Sequence, residues 1–463
     1  MAVMASILSS TIYRLFVNPS RHSVFRYLPE SIGCGKSRRS ISPFLRISRN
    51  YVSEFSGCRK GAIIKSSASS EELTVLGIET SCDDTAAAVV RSNGEILSQV
   101  VCSQADLLVC YGGVAPKMAE EAHALVIDQV VQEALNKAKI AEEDLSAVAV
   151  TIGPGLSLCL RVGVKKARKV AGTYTLPIVG VHHMEAHALV ARLVDPELQF
   201  PFMAFLISGG HNLLILAHDL GHYIQLGTTI DDAIGEAYDK TAKWLGLDMS
   251  KSGGPAVEEL AREGDENSIN FKVPMRQHKD CNFSYAGLKT QVKLAIESKN
   301  IDGGIPIASA SSEDRKVRAD IAASFQRVAV LHLEEKCERA VEWGMMMEPS
   351  IKHLVVSGGV ASNRYVRSRL NDVARKNRLQ LVCPPPGLCT DNGVMIAWAG
   401  IEHLRMGRYD PPPPACEPDD AVVDLRPRWP LGEEYAAGRS EARSLKTARV
   451  HPSLTSLIQR GSE

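Results

Sequence analysis

The chain has 463 residues, 45% hydrophobic and 23% charged, with a formal net charge of zero. That length calls for two or three domains rather than one small core, and the composition is that of a globular enzyme rather than a fibrous or disordered chain. No apolar run approaches the roughly 20 residues that span a bilayer, so no integral membrane segment is expected.

The zero charge hides an asymmetry. Residues 1–70 hold 11 Lys and Arg against two acids, Glu30 and Glu54, together with 16 serines. This segment therefore carries +9, and residues 71–463 carry −9. An Arg- and Ser-rich, acid-poor N-terminus has the composition of an organellar transit peptide. Its basic residues are spaced singly rather than in a block, which disfavours a nucleic-acid-binding arm. The 11 cysteines are scattered and none forms a CxxC pair, so a reducing compartment fits better than a disulfide framework.

Folded sequence is expected from Leu73. "TVLGIET" is a β-branched run into an acidic turn, and "DTAAAVV" and "EILSQVVCS" read as the next strands, with Gly94 in the hairpin turn. "PKMAEEAHALVIDQVVQEALNKAKI" has helical spacing through Met118, Ala122, Leu125, Val126, Val130 and Leu135. "SAVAVTIGPG" reads as a buried strand, "LRVGVKKARKVAGTYT" as a helix and "PIVGVHH" as another strand. The pattern then restarts with "FMAFLISGGHNLLILA", continues to "IKHLVVSGGVASNRYVRSRL" and ends in "LQLVCPPPGLCTDNGVMIAWAGIEHL", a strand, a Pro-rich loop and a closing helix. The expected organisation is a leader over 1–70, a first lobe over 71–198, a second lobe over 199–431 and a disordered tail over 432–463. Strands alternating with helices in two related halves define an α/β protein with a cleft between lobes, where ligands meet the strand ends.

Several motifs carry chemistry. "LISGGHN" and "LVVSGGVASN" both place Ser-Gly-Gly after a strand, where bare glycines let backbone amides approach phosphate oxygens. A tight turn explains either alone; the pair favours nucleotide binding, although neither is a P-loop or a Rossmann fingerprint. "TIDDAIGEAYDKTAKWLGL" puts Asp231, Asp232, Glu236 and Asp239 on one expected helix, with Asp232 and Asp239 two turns apart on one face. The plain alternative is a solvated acidic face. "KSGGPAVEEL" adds Glu258, a carboxylate suited to ribose hydroxyls.

In "VHHMEAHA", His183 and His187 are i and i+4, on one helix face at chelating distance. Glu185 lies about 200° round the helix from His183, so the arrangement does not fit a zinc protease. Two histidines are an incomplete site; Asp391 in "CTDNG" is the candidate third ligand. On spacing alone, a metal site and an ordinary surface helix are equally good readings.

These pieces together resemble a known family. "GIETSCDDT", "YGGVAPKMAEEAH", "GPGLSLCLRVG", "GVHHMEAHALVA", "LISGGHN", "DDAIGEAYDKTAKWLGL", "FSYAGLKT", "VVSGGVASN" and "CTDNGVMIA" occur in the order of the TsaD/Kae1/Qri7 family, the tRNA N6-adenosine threonylcarbamoyltransferases. The resemblance implies the ASKHA fold, two actin/Hsp70-like lobes with duplicated RNase H-like cores and a cleft between them. It implies transfer of threonylcarbamoyl from threonylcarbamoyl-AMP to adenosine 37 of ANN-decoding tRNA. It also implies a divalent metal, zinc or iron, one per subunit, on His183, His187 and Asp391.

Leu206, Ile207, Ser208, Gly209 and Gly210 match the substrate-contacting turn. Asp239, Gly254 and Glu258 match nucleoside contacts, Ser362 and Asn363 match the adenosine motif, and Thr390 adjoins the metal ligand. Implied partners are tRNA, a separate synthase that supplies the activated donor, and a second copy in a homodimer. The leader points to the mitochondrial branch and its matrix, with the chloroplast as the lesser destination. An acid from "ETSCDD", Glu79 or Asp83, is placed to orient or deprotonate the attacking amine; the alternative is that these carboxylates only cap the turn. Because the body is acidic, the tRNA is expected to meet local basic runs at Lys165, Lys166 and Lys169 and at Arg364, Arg367, Arg369, Arg375, Lys376 and Arg378. The rival readings are a zinc metalloendopeptidase and a kinase or ATPase of the same fold.

Overall fold

The computed structural model describes residues 72–104, 115–250, 252–418 and 421–436. The expected leader lies outside these residues, as does the chain beyond 436. The first sheet contains β1 (Thr74–Glu79), β2 (Asp84–Arg91), β3 (Ile96–Ser103), β4 (Ala147–Gly153) and β5 (Ile178–His182) in the order β3-β2-β1-β4-β5. β1, β2 and β3 form an antiparallel meander, while β4 and β5 run parallel to β1.

The second sheet contains β6 (Phe202–Ile207), β7 (Asn212–Asp219), β8 (His222–Thr228), β9 (His353–Ser357) and β10 (Gln380–Val382). Five of its six strands, in the order β8-β7-β6-β9-β10, repeat the first sheet strand for strand, with the same meander and the same two parallel strands. This is the duplicated core of an ASKHA-type protein.

The helices follow from which faces the strands bury. β1, β4 and β6 are buried at every position, the signature of strands covered on both faces. On one face of the first sheet, Leu76, Ile78 and Val89 pack on Ile127, Val130 and Val131 of α1 (Pro116–Ala138) and on Val164 and Ala167 of α2 (Ser157–Thr173). On the other face lies α3 (His183–Val194).

One face of the second sheet is covered by α4 (Ile234–Trp244), α5 (Gly253–Ala261), α6 (Ala286–Ser298) and the 36-residue α7 (Ser312–Met347). α8 (Arg364–Lys376) links β9 to β10, and α9 (Gly393–Arg405) returns to the first sheet, where Val394, Met395 and Ala397 meet Val75, Ala88 and Ala149. The segment expected as tail begins with β11 (Glu433–Glu434), paired with Ile224 and Gln225. Among the described residues no helix is long and apolar enough to cross a membrane.

α3 is the element that both lobes share. Ala186, Leu189 and Val190 pack on the first sheet, whereas Met184, Ala188 and Ala191 pack on Phe202, Ala204 and Leu206 of the second. Every residue from His183 to Ala191 is buried. The surface-helix reading therefore fails: α3 is buried on every side, its polar His183, Glu185 and His187 included.

The seating of α9 depends on Gly77. A Cβ there would lie 2.3 Å from the Gly393 carbonyl oxygen and 2.4 Å from the Ala397 nitrogen. Gly77→Ala is expected to lower stability by about 2–3 kcal/mol through overpacking. Urea unfolding followed by circular dichroism measures this, and an unchanged midpoint would refute the close approach.

Candidate metal centre and the cleft around it

β1, β4 and β5 are parallel neighbours, so their C-terminal ends lie together. The chain leaves β5 directly into α3, and each polar residue of "HHMEAH" has a separate task. His182 caps the helix: its Nδ1 accepts from the Met184 and Glu185 amides at 3.1 and 3.4 Å, and its Nε2 donates to the Trp429 carbonyl at 2.9 Å. Burial pulls its pKa down to about 4, which keeps it neutral.

Glu185 is also consumed by structure. It accepts from the Tyr223 hydroxyl at 2.6 Å and the Gly221 amide at 3.2 Å, and pairs with His403 Nε2 at 2.9 Å. This one buried carboxylate joins α3 to β8 and α9.

His183 and His187 face Asp391. His187 Nε2 lies 3.0 Å and His183 Nε2 3.6 Å from Asp391 Oδ1, and the three donor atoms all fall within 4.8 Å of one another. A tetrahedral site with bonds of about 2.1 Å has ligand–ligand edges of about 3.4 Å, so the donor set and its spacing fit a metal ion. Asp391 is fixed by the next residue: Asn392 caps α9 through the Met395 amide at 2.9 Å and donates to the Thr390 carbonyl at 2.7 Å. Burial disfavours charge on both Asp391 and His183. Their mutual attraction outweighs it, holding the Asp391 carboxyl below the usual range and, with Glu79, lifting His183 to about 9.

The glycine turns stand beside this group. Gly209 accepts from the Glu236 amide at 3.1 Å, which seats the first turn on the start of α4. A Cβ on Gly209 or Gly210 would meet nothing within 4 Å, so the other side of the turn is open. Leu206 and Ile207 are wholly buried, their side chains in the core. In the second turn, Gly358 has φ 96°, and a Cβ there would lie 2.4 Å from the Ile207 carbonyl oxygen, so the two turns abut. Thr390 is exposed beside Gly359. His211, which follows the first turn, is lowered by burial and by the charge of His183, while Asp391 opposes this; the turn and the His/Asp group thus share one electrostatic environment.

Further along the cleft, Asp239 Oδ1 accepts from the Gly253 amide at 2.8 Å, and burial raises its pKa. A Cβ at Gly253 would strike Asp239, whereas Gly254 opens onto free space. Glu258 accepts from the Arg364 amide at 3.1 Å. Beside it, Asn363 caps α8 and donates to Gln326 at 3.3 Å, with half-buried Ser362 preceding it.

Two expectations need correction. The four acids do not share a helix, because α4 starts at Ile234. Asp231 instead accepts from the Ser284 hydroxyl and the Tyr285 amide, and Asp232 pairs with Lys289 at 2.7 Å. An aspartate before a helix satisfies local donors more readily than it extends the helix. The basic runs are also less available than their sequence suggests: Lys166 holds Asp128, Arg369 holds Glu334 and Lys376 holds Glu338, while Arg367 donates to the Pro384 carbonyl.

The sequence reading passed over Thr151, Ser81, His123 and Asp84. His123, buried on α1, bonds Thr85 Oγ1 at 2.7 Å and the Cys82 carbonyl at 3.1 Å, fixing the acidic turn. Burial raises Asp83 and lifts Asp84 to about 6. Burial also pushes the Cys82 and Cys389 thiols upward, which suits small packing groups better than nucleophiles.

Duplicated sheets around a shared helix, with a His/His/Asp group and open glycine turns at one cleft, define an ASKHA-type protein with the makings of a metal centre. Residues 95–398 match the model of the family described as "TsaD: tRNA N6-adenosine threonylcarbamoyltransferase", and the chain belongs to that family. It is 77% identical over 392 residues to a "Probable tRNA N6-adenosine threonylcarbamoyltransferase, mitochondrial" of Arabidopsis thaliana, covering 85% of this chain and 82% of that one. It is 44% identical over 341 residues to the mitochondrial protein of that name from Xenopus tropicalis, covering 72% and 83%. A tRNA N6-adenosine threonylcarbamoyltransferase of Rhizobium etli is 45% identical over 364 residues, covering 77% and 94%.

The assignment of Glu185 to structure is testable. Glu185→Gln is expected to cost about 2 kcal/mol of stability while leaving divalent-metal affinity within a few-fold of wild type. Parallel unfolding and metal titrations check both, and loss of metal binding without loss of stability would contradict it.

Proposed function

We propose that this chain transfers the threonylcarbamoyl group from threonylcarbamoyl-AMP to N6 of adenosine 37 in ANN-decoding mitochondrial tRNAs, forming N6-threonylcarbamoyladenosine and releasing AMP. The observation that carries this reading is the junction of the His183/His187/Asp391 group with the open Ser208–Gly210 turn, within a chain of this family. The donor is a mixed anhydride and already activated. The enzyme's work is to hold it, stabilise the developing oxyanion and leaving group, and present a weakly nucleophilic amine.

His183, His187 and Asp391 hold one divalent ion per subunit, zinc or iron, which when bound supplies Lewis-acid polarisation of a carbonyl. Gly209 and Gly210 bring bare amides to the phosphate of the donor. Asp239, Gly254 and Glu258 bind the nucleoside, with Ser362 and Asn363 on its adenine side and Thr390 between the two regions. Asp83, half-buried at the edge of the cleft, orients the amine and takes its proton.

The rival readings lose ground on the same geometry. A metallopeptidase needs a carboxylate beside its metal, and Glu185 is committed to Tyr223 and His403. A kinase would rest on Mg²⁺, which prefers oxygen donors to two imidazoles.

The mitochondrial names of the plant and vertebrate relatives support action in the mitochondrion, and we place it in the matrix. A separate synthase supplies the donor, and the working unit is a homodimer. Lys165 and Lys169, exposed on α2, form part of the tRNA-facing surface with Lys166.

The test is reconstitution. The purified chain is incubated with tRNA, threonine, bicarbonate, ATP and a threonylcarbamoyl-AMP synthase, and the tRNA is digested for mass analysis. Wild type is expected to yield the modified nucleoside and His183→Ala to lose at least 100-fold of it; full yield from His183→Ala would overturn the reading. Neutralising Lys165, Lys166 and Lys169 together is expected to weaken tRNA binding and flatten its dependence on salt by up to three phosphate contacts. Unchanged binding would remove α2 from the tRNA surface.

A further inference from the structure

The ends of β1, β4 and β5 bring together three residues far apart in sequence: Glu79, Thr151 and His183. Glu79 is fully buried and both of its carboxylate oxygens are engaged. Oε1 accepts from the Ser81 amide; Oε2 accepts from the Thr151 hydroxyl at 2.5 Å and faces His183 Nδ1 at 3.1 Å. Ser81 Oγ lies 3.2 Å from the same ring nitrogen.

The turn that carries Glu79 and Ser81 is clamped by the loop that leads into α2: the Leu156 amide donates to the Ser81 carbonyl at 2.8 Å, and a Cβ at Gly155 would lie 2.6 Å from that oxygen. No open side remains from which Glu79 could reach an incoming amine. Its oxygens serve groups of the protein.

We infer that Glu79 is a positioning residue: with Thr151 it holds His183 in the tautomer and orientation that present Nε2 to the metal. A carboxylate can only accept, so the hydrogen shared with His183 sits on Nδ1, and Nε2, which faces Asp391 and His187, is the nitrogen left to bind a metal in place of a proton. Thr151 donates its hydroxyl hydrogen to Oε2, and the Ser81 amide fixes Oε1, so the carboxylate cannot rotate away. His187 has no equivalent: among the described residues its Nδ1 is buried without a hydrogen-bond partner. The two histidines are therefore unequal, and His183 is the pre-set one. This inference rests on the proposed metal site and extends it inward by two residues.

The experiment titrates the metal-free full chain with Co²⁺, reading the visible ligand-field bands and competing the metal against a chromophoric chelator. Wild type, Glu79→Gln, Thr151→Val and Thr151→Ser are compared, with near-ultraviolet circular dichroism confirming the fold of each. Glu79→Gln is expected to bind Co²⁺ about 10–100-fold more weakly with altered bands. Thr151→Val is expected to lose several-fold and Thr151→Ser, which keeps the hydroxyl, to restore it.

Glu79→Gln binding within twofold of wild type, with identical bands, would overturn the inference. If Glu79→Gln does not fold, the threonine pair decides: equal affinities for the valine and serine variants overturn it, and weaker binding by valine alone upholds it. No Co²⁺ binding by wild type would sink the metal site itself, and this inference with it.

Discussion

The structure depends on burying one helix between two sheets. α3 presents Ala186, Leu189 and Val190 to one sheet and Met184, Ala188 and Ala191 to the other, so neither lobe completes its core without it. Its placement also decides where chemistry can occur. The helix begins where β5 ends, at the carboxyl edge of the first sheet, and leans on the strand of the second sheet that ends in Ser208–Gly210. The cleft and the His/Asp group thus share a cause. The packing that joins the lobes brings the first turn of α3 beside the glycine turns, and no separate device is needed to align them.

A buried helix places strict demands on its polar side chains, because an unpaired polar group inside a protein costs roughly 1–3 kcal/mol. α3 meets those demands one by one. His182 closes the helix start and reaches Trp429. Glu185 takes two donors and a histidine from the second sheet and α9. His183 turns one nitrogen to Glu79 and Ser81. What is left over is informative: His183 Nε2, 3.6 Å from Asp391 and beyond hydrogen-bond reach, and the unpartnered Nδ1 of His187. Groups that the fold leaves poorly satisfied on a helix otherwise fully accounted for are where a ligand should be sought.

Much of this was legible in the sequence, for identifiable reasons. The strands announced themselves as short continuous apolar runs, and the repeat showed where "FMAFLISGGHNLLILA" restarts the strand-turn-strand form of "TVLGIETSCDDTAAAVV". The pairing of His183 with His187 followed from helical spacing, and Asp391, at a loop-to-helix junction, was reachable as the third member of the group. The status of α3 was harder, because histidine is compatible with either surface or interior. The discriminating signal was present: from His183 to Val194 the only Asp, Glu, Lys or Arg residues are Glu185 and Arg192, too few for a solvated helix. The acidic run before α4 was misread since spacing cannot show where a helix begins, and Asp231 prefers to cap the Ser284–Tyr285 turn. The basic runs misled for a related reason. Spacing shows that Lys166, Arg369 and Lys376 are charged, but their partners Asp128, Glu334 and Glu338 come from other helices.

Glu79 and Thr151 mark the limit of linear reading most clearly. Nothing in "GIETS" or "AVTIG" connects either to "VHH"; only strand order does, because β4 lies between β1 and β5. Parallel neighbours end at the same edge, so residues 72 and 32 positions apart become adjacent. The duplicated sheet offers the same edge a second time, where β6 and β9 lie side by side and end in Ser208–Gly210 and Ser357–Gly359. The two copies have used one geometry differently. The first loads its strand ends with a carboxylate, a hydroxyl and a histidine that hold one another, giving a rigid charged socket. The second strips its ends to glycine, giving open backbone amides. A fold repeated in this way supplies two complementary half-sites from a single architectural rule, and the shared helix sets them face to face.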